Sequence, residues 1–192
     1  MGITIHYRAV IRCDGSYIDE LFDRLENILR SDAILNIKRI DGFEKEYDFE
    51  KAKTAINELP LPSSLDGNPF IYTHYPVSKE QLCPEHRKVL VANIHPGCET
   101  FKLEFIKQKE QDVWIMPYSF VKTQFAPVWV HIFICSLLCQ VESMVRAKGG
   151  SFNLNDEGDY YYSKDPKKLY ASMRYVDSLI GRIIGALSDS KL

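Results

Sequence analysis

The stretch FNLNDEGDYYYSKDP, residues 152–166, gathers Asp156, Glu157 and Asp159 around Gly158 and follows them with three tyrosines. Carboxylates this close repel one another unless a cation, an arginine or shared protons relieve them. Such a group can hold a divalent ion or supply a general acid and a general base. It is not an EF-hand loop: with Asn153, Asn155, Glu157 and Gly158 on positions 1, 3, 5 and 6, position 12 falls on Lys164, where a bidentate Glu is required. Phe152 and Leu154 before the acids, and Tyr160 and Tyr162 after them, predict a hairpin that turns at Glu157-Gly158 with Gly158 in the φ > 0 position. A turn needs only one acid. The excess marks Asp156, Glu157 and Asp159 as candidate metal ligands, with Glu157 and Asp159 also candidate catalytic groups.

Two histidines could serve the same chemistry. His95 opens the segment HPGCE between two expected strands, where sheet proteins present functional side chains. It reads as a base or ligand oriented by Glu99, or the Pro-Gly pair is simply a turn. His131 is the one titratable group in an apolar helical run, either a ligand or base or a core histidine with its hydrogen bonds satisfied. Cys135 and Cys139 continue its four-residue spacing; two neighbours could share an ion, but the three span about 12 Å of helix axis. Buried cysteines that only pack are the plainer reading.

Cys83, His86, His95 and Cys98 resemble two zinc knuckles with two-residue spacing. The intervening residues 88–94 read as a strand, however, and nine extended residues reach roughly 30 Å, whereas one zinc gathers its ligands within about 4 Å. The quartet is therefore a weaker candidate for a structural zinc site.

These side chains need elements to position them. Ile3, Ile5 and Tyr7 alternate with Thr4, His6 and Arg8, the pattern of a strand with one buried face. Residues 17–30 carry a helical apolar stripe after Ser16 as N-cap, and 35–40 form a second strand. A loosely helical segment at 44–58 leads into a Pro-rich excursion at 59–87, an insertion within one 1–192 domain. Strands follow at 88–94, 101–106 and 113–118, then a core helix from about Thr123 to Arg146 with Pro127 in its first turn. After the hairpin, Asp165-Pro166 starts a last helix with the stripe Leu169, Met173, Val176, Ile180, Ile183 and Leu187. The expected fold is a two-layer α+β domain, a mainly antiparallel sheet with two long helices on one face. Its open face would carry Thr4, His6, Arg8, Lys102 and Glu104 and no aromatic rings.

Composition limits function further. With 24 Lys and Arg against 26 Asp and Glu the formal charge is −2, and without a basic patch or stacking rings no nucleic-acid partner is expected. Five scattered cysteines fit a reducing, cytoplasmic setting rather than a disulfide scaffold. MGITIHYRAV is no signal peptide, and the apolar run at 125–138 is too short to span a bilayer, so no membrane is expected.

GITIHYR at 2–8, HPGCE at 95–99, KTQFAP at 122–127 and NDEGDY at 155–160 together resemble a group of uncharacterised bacterial and archaeal proteins with a GITIHYRG-like start and a C-terminal DEGxY-type stretch. Ala9 stands where that group's pattern has glycine, and the excursion lies outside the likeness. The resemblance implies a compact prokaryotic domain and no particular chemistry.

The leading expectation is a non-catalytic binding or assembly module, a homodimer built on the open sheet face or on the helix surface bearing Gly181 and Gly185. A glycine inside a helix costs roughly 1 kcal/mol against alanine, so close packing against another helix is its natural reason. The alternative is a small hydrolase, metal-assisted or acid/base, using His95 or His131 with Asp156, Glu157 and Asp159; its small-molecule ligand is not specified by sequence. Convergence of His6, His95, His131, Glu157 and Asp159 on one cleft would favour chemistry, and dispersal the module.

Overall fold

The structure, a computed structural model, describes residues 2–32, 34, 36–41, 82–108 and 111–189. The helical segment expected at 44–58, and the excursion as far as residue 81, lie outside the described residues. The elements run β1 (Thr4–Arg12), α1 (Gly15–Ser31), β2 (Ile37–Asp41), β3 (Leu82–Ala92), β4 (Phe101–Gln108), β5 (Val113–Lys122), α2 (Val128–Ala147), β6 (Ser151–Asp156), α3 (Tyr160–Ser163) and α4 (Pro166–Asp189). Among the described residues, six strands make one sheet in the order β2-β3-β4-β5-β1-β6, and each pairing is antiparallel. The fold is α+β, as the alternating strands imply.

Alternation decides the faces. Ile5, Tyr7, Ala9 and Ile11 of β1 join Leu103 and Phe105 of β4 and Phe152 and Leu154 of β6 in one core with Ile18, Leu21, Phe22 and Leu25 of α1 and Ile134, Leu138 and Val141 of α2. Tyr17 ties the two helices by donating to the Met144 carbonyl at 3.1 Å. Burying side chains of this size contributes about 1.5–3 kcal/mol each before the opposing loss of chain entropy.

Several elements depart from expectation. Asp14, one residue before α1, accepts from the Ser16 amide at 2.8 Å and is the N-cap in place of Ser16. β3 begins at Leu82, inside the span expected as excursion, with an irregular register between Cys83 and Arg87. α2 starts only at Val128, because Pro127 takes extended dihedrals (φ −57, ψ 149) and residues 123–126 form a turn.

The larger correction concerns α4, a third long helix. Its first buried residues, Leu169 and Met173, pack with Ile3, Val128, Ile132 and Tyr160. Over residues 181–187 it is exposed: Ile183 is 47% exposed and Leu187 60%. α2 is long and apolar enough to cross a membrane, since it continues to Ala147, past the run weighed from sequence. Here half of that window is buried inside the fold, in the core that the helix shares with the sheet and α1.

The outer sheet face does carry aromatics, against expectation. Register places Phe120 opposite His6, and Tyr118 sits at the irregularity between Tyr7 and Ala9; they are 53% and 49% exposed. The irregularity turns Tyr118 outward, which a strict two-residue count from Met116 could not anticipate. Nor is that face uniformly open, since Val89 and Ile115 on it are buried.

Candidate functional site

β6 ends at Asp156, and because Phe152 and Leu154 point inward, so does Asp156. No hairpin follows. β6 pairs with β1, and the chain turns at Glu157–Asp159 directly into α3, so Tyr160 and Tyr162 are helical. The Asp156 side chain makes that turn: Oδ1 accepts from the Gly158 amide at 2.7 Å and Oδ2 from the Tyr161 amide at 2.8 Å. An aspartate that bonds its own backbone two residues on competes with strand continuation, which is why the hairpin fails. The left-handed residue is Asp159 (φ 58), not Gly158. Gly158 is needed for closeness instead: a Cβ there would lie 2.7 Å from Leu169 Cδ1 and 3.0 Å from His131 Cε1.

The three acids therefore part company. Asp156 is inside, its side chain fully buried 3.0 Å from His131 Nε2. Glu157 is outside: it accepts from the Thr4 amide at 2.9 Å and lies 3.4 Å from His6 Nε2. Asp159 is 62% exposed, with Lys168 Nζ at 3.9 Å, and its carbonyl accepts from the Ser163 amide in α3. The repulsion expected of a shared tip is relieved by separation.

His131, in the first turn of α2, is fully buried. Its Nδ1 is 2.7 Å from Thr123 Oγ1, whose hydroxyl also lies 3.4 Å from the Ile3 carbonyl. Its Nε2 faces Asp156 at short range yet makes no hydrogen bond of acceptable direction, so it is close to the carboxylate without being aligned to it. Cys135, one turn along the same helix face, points its Sγ at Asp156 Oδ2 from 3.9 Å. Burial pushes the Asp156 carboxyl up, but the His131 ring and the two backbone amides outweigh it and hold it below the usual carboxylate range. Burial and the neighbouring carboxylate push the Cys135 thiol up. Among the described residues, His131, Cys135 and Asp156 are the one group of three whose ligating atoms lie within 4.8 Å of one another.

A second constellation lies on the opposite face of the sheet. His6 stacks on Tyr118 with ring centroids 5.5 Å apart, and its Nδ1 meets the Tyr118 hydroxyl while Nε2 faces Glu157. Burial and the Glu157 charge push the Tyr118 phenol up. Both His6 nitrogens are thus engaged by protein groups.

The remaining candidates stand apart. His95 begins a turn closed by the Cys98 amide on its carbonyl at 3.0 Å, its Nδ1 accepts from the Gly97 amide at 2.9 Å, and its ring meets Trp129 edge-on at 6.1 Å. Glu99 does not orient it; that carboxylate accepts from the Lys122 amide at 2.9 Å. The Cys98 thiol donates to the Glu99 carbonyl at 2.8 Å and is pushed by burial to about 11. His86 is exposed, and the Cys83 side chain lies outside the described residues. Among the described residues, His86, His95 and Cys98 do not gather as ligands. Cys139 lies 3.4 Å from Lys164 Nζ, away from His131. Gly181 and Gly185 have no heavy atom within 4 Å of where a Cβ would be.

Three positions escaped the sequence reading. Thr123 and Gln124 are buried polar residues at the end of β5: Thr123 holds His131, and Gln124 accepts from the Ile3 amide at 2.9 Å and donates to Asp177 at 2.8 Å. Tyr118 engages His6. The signal for the first two was two adjacent amide- and hydroxyl-bearing residues between an apolar strand and an apolar helix. No family model matches the chain, and neither the curated proteins nor the solved structures yield a similar one.

Proposed function

We propose that the chain is a non-catalytic, homo-oligomeric assembly module, and that α4 carries the contact. The observation behind this reading is the apolar stripe of α4. It begins as core at Leu169 and Met173 and continues through Val176 and Ile180 to Ile183, which is 47% exposed. From Met173 to Ile183 the helix advances about 15 Å, so one seam begins in the core and ends on an exposed surface that a second copy would cover. Gly181 and Gly185 flank it with open space at their Cβ positions, as close approach of a second helix needs. Dispersal of the histidines supports a module rather than one catalytic cleft: His6 is outside with Glu157, His131 inside with Asp156, and His95 with Trp129. A reducing, cytoplasmic setting suits five cysteines of which Cys13, Cys98, Cys135 and Cys139 are free.

Light scattering at graded concentrations tests the reading. The wild type should have twice the chain mass, and Ile183→Lys should be monomeric with an unchanged circular dichroism spectrum. Gly181→Ala sharpens the test. A solvated helix would gain about 1 kcal/mol from that change, whereas a glycine at a crossing would lose dimer affinity. A wild type that stays monomeric at every concentration removes the proposal.

One observation favours a second reading, a small acid/base or metal-assisted hydrolase: the turn does bring a carboxylate to His131, at 3.0 Å. Both side chains are fully buried, so turnover would require the turn to open. Ester or phosphoester hydrolysis lost in His131→Gln would support it; no hydrolysis across such a panel would remove it.

A further inference from the structure

We propose that His131 Nε2, Cys135 Sγ and an Asp156 carboxylate oxygen bind one divalent ion of the zinc class, as a buried centre joining α2 to the end of β6. The ligand set is a borderline-soft imidazole, a thiol that becomes a thiolate, and a carboxylate, a mixture suited to zinc. Bond lengths of about 2.0–2.1 Å to nitrogen and oxygen and about 2.3 Å to sulfur, at tetrahedral angles, put N and O about 3.3 Å apart and S and O about 3.5 Å apart. The structure has 3.0 Å between His131 Nε2 and Asp156 Oδ1 and 3.9 Å between Cys135 Sγ and Asp156 Oδ2, with all three ligating atoms within 4.8 Å. Because the two short distances run to different Asp156 oxygens and the ligating atoms are bounded only at 4.8 Å, seating the ion takes side-chain adjustments of up to about an ångström.

A second, independent observation is the state of His131. Its Nε2 is wholly buried and lacks a hydrogen-bond partner, although a carboxylate oxygen lies 3.0 Å away. Thr123 can pass its hydroxyl proton to the Ile3 carbonyl at 3.4 Å and accept the Nδ1 proton of His131 at 2.7 Å. In that tautomer Nε2 carries a lone pair that a cation shared with the nearby carboxylate would satisfy. A hydrogen bond that fixes one ring nitrogen and presents the other is the usual support of a metal-bound histidine. Asp156 is braced in the same way, by the Gly158 amide on Oδ1 and the Tyr161 amide on Oδ2. Binding moves the Cys135 proton to solvent and forms a thiolate–metal bond. Three protein ligands leave one tetrahedral position for water.

This centre is independent of assembly through α4. The test is metal analysis of untagged protein from zinc-supplemented cultures, followed by cobalt(II) loading during refolding from denaturant. The expected result is about one zinc per chain and a thiolate-to-cobalt charge-transfer absorption that saturates at one equivalent. Cys135→Ser should abolish the absorption, while Cys139→Ser should leave it intact. Less than about a tenth of a zinc per chain together with no absorption from refolded wild type overturns the proposal and leaves a dry hydrogen-bonded cluster. Absorption that persists in Cys135→Ser, or disappears in Cys139→Ser, also overturns it.

Discussion

Asp156 is the residue on which the inner cluster turns, and its removal has a calculable cost. Asp156→Ala leaves two buried amides, Gly158 and Tyr161, without acceptors, and leaves His131 Nε2 facing an empty space. An orphaned buried amide costs about 1–3 kcal/mol, and a broken buried charged contact about 3–5 kcal/mol in total. The two estimates overlap because they describe the same side chain, so about 3–5 kcal/mol is expected rather than their sum. Asp156→Asn keeps one acceptor oxygen but turns an NH2 group toward a donor, and should cost about 2 kcal/mol. Urea unfolding at pH 7 in the presence of chelator, with unchanged m-values, measures both without any contribution from a metal. The pH dependence follows from the lowered carboxyl. Its stabilisation is fully present above the ordinary aspartate range and is lost as pH falls through the folded value. The gap between wild type and Asp156→Asn should therefore be constant above about pH 5 and close below about pH 4. A cost under about 1 kcal/mol for Asp156→Ala, or a gap that persists unchanged at pH 3, would refute the reasoning.

Other substitutions probe the same region. Gly158→Ala drives a Cβ to 2.7 Å from Leu169 Cδ1 and 3.0 Å from His131 Cε1, both on buried side chains; a loss of about 1–3 kcal/mol in thermal unfolding is expected. Thr123→Val removes the partner of His131 Nδ1 at constant shape and should cost about 1–2 kcal/mol in chelator-treated protein by urea titration. Gly149 has φ 67 and open space around its Cβ position, so Gly149→Ala should cost about 1–2 kcal/mol through backbone conformation alone, again by urea titration.

What the sequence could convey depended on how local the determinant was. The strand faces of β1 and β4 and the stripe of α1 are repetitive patterns within single elements, and they survive folding because one sheet face is buried. The register of β5 against β1 is not local: its irregularity sends Tyr118 outward beside His6, and no alternation within 113–122 encodes that. The stripe of α4 was correctly periodic, but periodicity does not say what covers it. The site failed for a similar reason. The Asp156–His131 contact joins residues 25 apart through the end of one strand and the start of one helix, whereas the sequence grouped the acids by adjacency. Adjacent residues at a strand end point to opposite faces, so proximity along 156–159 gave the wrong partners for two of the three acids.

That opposition gives a last test, since neighbouring carboxylates should behave as different kinds of group. Glu157 is on the outer face with its side chain 43% exposed, so its attraction to His6 at 3.4 Å is screened by water. Its firmer role is to accept from the Thr4 amide at 2.9 Å, an interaction a glutamine oxygen can keep. Glu157→Gln should therefore change stability by less than about 1 kcal/mol, and raising ionic strength should shrink even that difference. The same isosteric change one residue earlier, at Asp156, should cost several times more and be nearly indifferent to salt, because its partners are buried. Urea titrations of both variants at low and high salt make the comparison. If the two costs were equal, the division of the turn into an inner and an outer carboxylate would be wrong, and the acids would have to be treated as one shared tip.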